Sequence, residues 1–181
     1  MTATPEVREA MLAAIPSLRA FAISLTYNVD AADDLVQEAI LRAWANIEKF
    51  EAGTSMHAWL FTILRNSFYS QHRRAKREVS DPEGSYAALL GTAPEQNTKC
   101  DSQDMRTALA KLPVDQREAL ILIAAEGLSY EEAAQVCGLA VGTVKSRVHR
   151  ARARLGQLLA IDGAEDLGPD RMTRAVLQSA F

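Results

Sequence analysis

The stretch from Ser129 to Leu155, SYEEAAQVCGLAVGTVKSRVHRARARL, constrains this chain more than any other. It reads as two short helices joined by a tight turn. Ser129 is a favoured N-cap residue, and Glu132 three positions on completes a capping box. Ala133, Ala134 and Val136 give the first helix a small apolar face, and Gly138 stands where that helix must end with a positive φ. Val141-Gly142-Thr143 opens the second helix, with Val144 and Val148 one turn apart and facing inward. Ala134, Gly138 and Val144 carry the spacing of a helix-turn-helix. The alanine permits close helix approach, the glycine turns the chain and the valine fills the angle between the helices. The outward positions of the second helix are Lys145, Ser146, Arg147, His149, Arg150, Arg152 and Arg154, and no Asp or Glu occurs between Glu132 and Asp162. Unopposed positive charge on such a helix suits DNA phosphates and base edges. The plainer reading, a helical hairpin with a solvated basic face, explains the charge but not its coincidence with the turn and the capping box.

The rest of the chain carries the opposite sign. The net charge of the 181 residues is only −3, but it is segregated. Residues 30–51 hold six acids and two bases, residues 65–77 five bases and no acid, residues 78–104 six acids and one base, and residues 143–154 five bases and no acid. Two basic helices in an acidic remainder say more about partners than the mean does. An apolar content of 48% supports a folded core in one or two domains. The two cysteines, Cys100 and Cys137, have no metal-ligand spacing around them, and Cys137 reads as a small packed residue in the helix-turn-helix. No run of 18 apolar residues exists and the N-terminus lacks a signal-peptide pattern, so a reduced, cytoplasmic protein without a membrane segment is expected.

Residues 5–27 show helical spacing in Val7, Met11, Leu12, Ile15, Leu18, Phe21, Ala22 and Leu25. Pro16 should break or kink this stretch, giving a short first helix and a second one starting near the proline. Asn28 to Asp30 forms a turn with Asp30 as N-cap. The next helix, about 31–48, should bury Val36, Ile40, Ala43, Trp44 and Ile47, and present Asp33, Asp34, Gln37, Glu38 and Leu41 on its other face. A leucine among carboxylates fits a surface for a basic protein partner; a solvated acidic face with one stray leucine is the alternative.

After the loop FEAGTS, Ser55 can cap a long helix from about Met56 to Arg77, with Trp59, Leu60, Ile63 and Leu64 inward. Thr62, Arg65, Asn66, Tyr69 and Arg73 share another face. Arginine, asparagine and tyrosine together can hold backbone phosphate and stack on unpaired bases. The other reading is a core-edge aromatic beside bases that complement a helix C-terminus. Residues 79–103, broken by Pro82, Gly84, Gly91 and Pro94, read as an acidic linker with a short helix at Tyr86–Leu90. Helical spacing returns at Ser102. Met105, Ala108, Leu109 and Leu112 lead to Pro113, and Asp115 starts a further helix through Leu120 and Ile123 that Gly127 stops. The second helix of the opening motif can run past Leu155 to Leu159, and the tail 161–181 is turn-rich and then weakly amphipathic. His57, His72 and His149 lie in three unrelated contexts, and no phosphate loop or zinc spacing occurs. The reading is therefore non-enzymatic, with no cofactor and no metal.

Taken in order, these parts resemble a bacterial RNA polymerase sigma factor of the extracytoplasmic-function (ECF) group of the sigma-70 family. The matching text is DAADDLVQEAILRAWANIEKF (30–50), WLFTILRNSFYSQHRR (59–74) and LPVDQREALILIAAEGLSYEEAAQVCGLAVGTVKSRVHRARARL (112–155). The wording around DPEGSYAALL and DQREALIL is most similar to sigma factors of the alphaproteobacterial general stress response. The resemblance implies an all-α fold of two helical domains, a region 2-like domain at 1–78 and a region 4-like helix-turn-helix domain at 104–160. It also implies RNA polymerase core as partner, held through its clamp helices and flap, together with promoter DNA and an anti-sigma protein. Asp34, Leu35, Gln37, Glu38 and Leu41 would dock on the clamp helices. Ser55, Met56 and His57 of the loop 50–57, with Arg65, Asn66, Tyr69 and Arg73 of the helix, would open and read the −10 element, where a flipped base needs a pocket and a wall. Thr143, Lys145, Ser146, Arg147, His149, Arg150 and Arg152 would meet the −35 element in the major groove. Some relatives carry an arginine one helix earlier, where this chain has Ile123, so no contact is expected from that position.

Two rivals remain at the level of sequence. A sigma-like decoy would bind an anti-sigma protein without touching DNA; in such pathways it is usually fused to a receiver domain, and no receiver sequence occurs in these residues. A helix-turn-helix regulator of the ordinary kind would explain 129–155 but neither the acidic helix nor the basic 65–77. The anti-sigma expectation calls for apolar surface on both domains: Leu41 on the first and the outer faces of 105–123 on the second.

Overall fold

The computed structural model describes residues 4–78 and 100–159, with side chains over 4–75 and 104–159. Every described element is helical: α1 (Pro5–Thr26), α2 (Val29–Ala45), a 3-10 turn (Ile47–Lys49), α3 (Met56–Glu78), α4 (Cys100–Ala110), α5 (Val114–Ala124), α6 (Tyr130–Cys137) and α7 (Val141–Leu159). They form two compact units, Met1–Ala93 and Pro94–Phe181, each with its own core. The expected helix at 86–90 and the tail 161–181 lie outside the described residues.

In the first unit α1 runs unbroken for 22 residues with Pro16 inside it, against the expectation of a break. The reason is where the damage falls. Proline removes the bond to the carbonyl of Leu12, and both Leu12 and Pro16 are solvent-exposed, so water can satisfy that carbonyl. The opposite face, Met11, Ala14, Leu18, Phe21, Ala22 and Leu25, is buried and keeps the helix continuous through Pro16. Burial of several large apolar side chains, each worth about 1.5–3 kcal/mol, outweighs a proline cost of about 3 kcal/mol. By length and composition α1 could also cross a membrane, but here its apolar face is core.

Asn28, not Asp30, caps α2: its side-chain oxygen accepts from Ala31 N at 2.9 Å, leaving Asp30 in the first turn to complement the helix dipole. Arg19 Nε donates to Asp33 Oδ1 at 2.6 Å and ties the middle of α1 to the first turns of α2. The core closes with Leu60, Phe61, Leu64 and Phe68 of α3, where the Phe21 and Phe61 rings meet edge to face at 5.0 Å. Trp59 and Ile63, expected inward, are half-buried at its margin, while Phe61 takes a central place.

In the second unit α5 is central, buried from Arg117 through Ala125; α7 and α6 pack on it, and α4 packs against α7. A helix surrounded on all sides shows little amphipathic pattern. Its buried arginine serves a neighbour: Arg117 Nη1 donates to the carbonyls of Leu109 (3.3 Å), Ala110 (3.4 Å) and Leu112 (3.2 Å). These are carbonyls of the kind left without intrahelical partners at the end of α4. Ile123 is buried. Met105, Ala108, Leu109, Leu112 and the apolar run from Ala119 to Ile123 are likewise buried, and Val114 is half-buried. Among the described residues the exposed large hydrophobics are Leu12, Leu41 and Trp44, all in the first unit, so the expected apolar outer face of the second unit is not found.

Candidate nucleic-acid and polymerase interfaces

The helix-turn-helix forms as its sequence directs. Ser129 Oγ accepts from Glu132 N at 3.1 Å and Glu132 Oε2 accepts from Ser129 N at 2.8 Å, so both halves of the capping box are made. Gly138 ends α6 at φ +65, a left-handed conformation that any side chain would strain. The turn then closes with Leu139 N donating to Ala134 O at 3.0 Å. Cys137 is a free, buried thiol in this packing. Val144, Val148, Ala151 and Leu155 seat α7 on the unit and fix which of its residues face out.

Thr143, Lys145, His149 and Arg150 are exposed. Lys145 Nζ lies 5.5 Å from the centre of the Tyr130 ring, within cation-π range. Ser146 Oγ donates to Thr143 O at 2.8 Å and accepts from Arg150 Nη2 at 3.1 Å, while Arg150 Nε donates to Ser146 O at 3.3 Å. The Arg150 guanidinium is therefore braced one turn back along the helix. Two expected members leave the outward set. Arg147 Nε pairs with Asp115 Oδ2 at 3.4 Å and its side chain is only 20% exposed, because its position on α7 turns it toward α5. Arg152 is half-buried, with Nε and Nη2 buried and without hydrogen-bond partners, because it flanks Val148 and Leu155 on the packed side.

In the first unit Asp34, Gln37 and Leu41 are exposed, and Leu41 is 70% accessible. Leu35 is 1% exposed: it is core beneath this face and presents nothing to a partner. Trp44, expected inside, is 49% exposed. It completes the progression 34, 37, 41, 44, which keeps to one face of a helix, so the spacing that singled out Leu41 already contained the tryptophan. Ile40 and Ile47, also expected inside, are half-buried. Glu38 is engaged: it accepts from Arg42 on its own helix and, through Oε2, from Gln71 Nε2 on α3 at 2.6 Å.

Ahead of α3, Ser55 Oγ accepts from Ala58 N at 3.2 Å, as expected of a cap. Met56 and His57 are half-buried, and the His57 ring meets Phe61 edge-on at 5.7 Å. Phe50 from the loop packs on Trp59 at 5.4 Å. Arg65 Cζ stands 4.6 Å above the Tyr69 ring, Asn66 is exposed, and Arg73 Nη2 donates to Ser70 Oγ at 3.3 Å. The Phe68 ring backs Tyr69 at 5.2 Å and His72 at 4.6 Å. A cation stacked on a half-buried aromatic beside an exposed amide can grip a phosphate and a base together. No group of three or more His, Cys, Asp or Glu able to hold a metal occurs among the described residues.

Residues 11–78 match the family model "Sigma-70 region 2" and residues 102–155 match "Sigma-70, region 4". The chain is 59% identical over 177 residues to the ECF RNA polymerase sigma factor EcfG of Rhodopseudomonas palustris, covering 98% of both chains. It belongs to the ECF RNA polymerase sigma factors. Sigma factor RpoE of Bartonella quintana, solved in complex with the anti-sigma factor NepR, is 51% identical, with a TM-score of 0.78 over 88% of this chain and 99% of that one. CnrH, solved in complex with the cytosolic domain of CnrY, is 29% identical, with a TM-score of 0.61 over 87% of this chain and 89% of that one. The first unit is thus a sigma region 2 and the helix-turn-helix unit a sigma region 4.

Proposed function

We propose that this sigma factor carries RNA polymerase core to promoters of the general stress response, docking through α2, opening the −10 element with α3 and holding the −35 element with α7. On α2 the docking residues are Asp34, Gln37, Glu38 and Leu41, with Trp44 added and Leu35 as support beneath. On α3 and its preceding loop, Ser55, Met56, His57, Arg65, Asn66, Tyr69 and Arg73 form the −10 surface. On α7 the −35 readers are Thr143, Lys145, Ser146, His149 and Arg150. Region 4 also meets the flap of the polymerase, and an anti-sigma protein holds the chain silent.

The observation that carries the reading is the α2 row, an exposed leucine and tryptophan set among carboxylates on the same unit as the Arg65–Tyr69 stack. A regulator that needed only its helix-turn-helix would have no use for it. The anti-sigma partner is supported by the 51% identity to a sigma factor solved with NepR. The stress assignment is supported by the 59% identity to EcfG and by the family wording at 81–90 and 115–122. The test is transcription by core polymerase from fragmented genomic DNA of the source bacterium, with and without the purified chain. Chain-dependent starts sharing −10 and −35 elements are expected; no chain-dependent start would refute the proposal.

A further inference from the structure

The Glu38–Gln71 contact joins two surfaces that the proposed function keeps separate. Glu38 lies in the middle of the α2 docking row, between Asp34 and Leu41. Gln71 lies on α3, two residues beyond Tyr69 and two before Arg73, and is 33 positions away in sequence. The buried contacts of α3 end at Phe68, and from Tyr69 to Ala75 every residue is half-buried or exposed. The core therefore does not fix this basic end of the helix, and the 2.6 Å bond from Gln71 Nε2 to Glu38 Oε2 is a direct tie from it to α2. Two residues turn a helix by about 200°, so Gln71 faces away from Tyr69 and holds the nucleic-acid face from behind.

Both oxygens of Glu38 are engaged before any partner arrives, one by Arg42 and one by Gln71. The guanidinium bond is charge-assisted and the amide bond is not, so the amide is the contact that an incoming donor displaces. Resting on the docking reading above, we propose that Gln71 competes with RNA polymerase for Glu38. Docking then frees the basic end of α3 for promoter DNA, and the tether weakens docking in the free protein. The coupling is reciprocal: whatever factor polymerase contributes to loosening the tether, loss of the tether returns to polymerase binding.

The test is a titration of core polymerase with the labelled full-length chain. Gln71→Ala is expected to bind roughly two- to tenfold more tightly than wild type, the factor that matches the net worth of one hydrogen bond. Gln71→Lys, which turns the tether into an ion pair, is expected to bind more weakly than wild type. Both differences should vanish on a Glu38→Ala background, while thermal melting of the variants falls by no more than the loss of that one hydrogen bond explains. A variant that merely damaged α3 could not tighten binding. Equal or weaker binding by Gln71→Ala, with Glu38→Ala still losing affinity, would overturn the competition and leave the docking face standing. Wild-type affinity in Glu38→Ala would overturn both.

Discussion

Arg147 Nε lies 3.4 Å from Asp115 Oδ2, so an arginine in the middle of the basic helix α7 is tied to the first turn of α5. On the proposed function this arginine anchors α7 and does not read DNA. Arg147→Ala should lower stability by about 0.2–1 kcal/mol, the range of a partly exposed pair, and leave sequence preference at the −35 element unchanged. Denaturant unfolding with a binding selection on randomised −35 DNA would check it; a changed preference would return Arg147 to the groove.

Lys145 and Arg150 should behave otherwise. The Arg150 guanidinium is braced by Ser146, which reduces the rotamer freedom that binding must remove. Arg150→Ala or Lys145→Ala should cost about 1–3 kcal/mol of promoter affinity and relax preference at particular base pairs. Equal losses on all sequences would instead mark both as phosphate contacts.

Arg152 gives the opposite expectation. Its buried Nε and Nη2 have no partners, and an unsatisfied buried donor costs about 1–3 kcal/mol. Arg152→Met keeps the apolar stem and removes those donors, so its melting temperature should match or exceed wild type. A clear drop in melting temperature would show that the guanidinium is satisfied in solution.

The Arg19–Asp33 pair supplies a pH signature. The hydrogen bond from Arg19 holds the Asp33 carboxyl below its ordinary value of 3.8, and the guanidinium is raised in turn by the same bond. A carboxyl depressed on folding adds stability that is complete above 3.8 and lost as pH falls through the lower folded value. Asp33→Asn should therefore flatten the acid limb of the stability curve below that point. Parallel acid limbs for mutant and wild type would show that the pair does not persist in solution.

How much of this was legible depends on how local the cause is. The helix-turn-helix could be read because its determinants, Ser129 with Glu132 and Gly138 at a left-handed turn, act within a few residues. The α2 face could be read because 34, 37 and 41 lie on one side of a helix; Trp44 shares that side, but a large apolar ring by itself points to the core, and only the packing shows it exposed. Pro16 misled because propensity is local while the face that overrides it is packed by two other helices. Arg117 and Gln71 were silent for a related reason. One caps the carbonyls of a preceding helix and the other ties two helices from 33 positions away, and neither leaves a periodic trace.

The distribution of exposed apolar surface yields the last prediction. Leu12, Leu41 and Trp44 are the exposed large hydrophobics among the described residues. The Arg19–Asp33 pair sets the antiparallel register of α1 and α2. Seven residues back along α1 is Leu12, and seven forward along α2 is Ile40, one turn before Trp44 and beside Leu41. Seven residues return a helix to nearly the same face, so the register brings all three to the same end of the helix pair. Apolar anchoring by an anti-sigma protein should therefore concentrate on α1 and α2. Contacts to the second unit should be mainly polar, and salt should weaken them more. With NepR as the probe and the full-length chain as its target, Trp44→Ala should cost about 2 kcal/mol or more, as a central aromatic anchor does. Leu41→Glu should abolish binding to both NepR and core polymerase, with circular dichroism and melting near wild type. Calorimetry that finds NepR affinity unchanged in both variants would move the anti-sigma interface off this face. Loss of NepR binding with core binding intact would separate the two partners and show that they do not share Leu41.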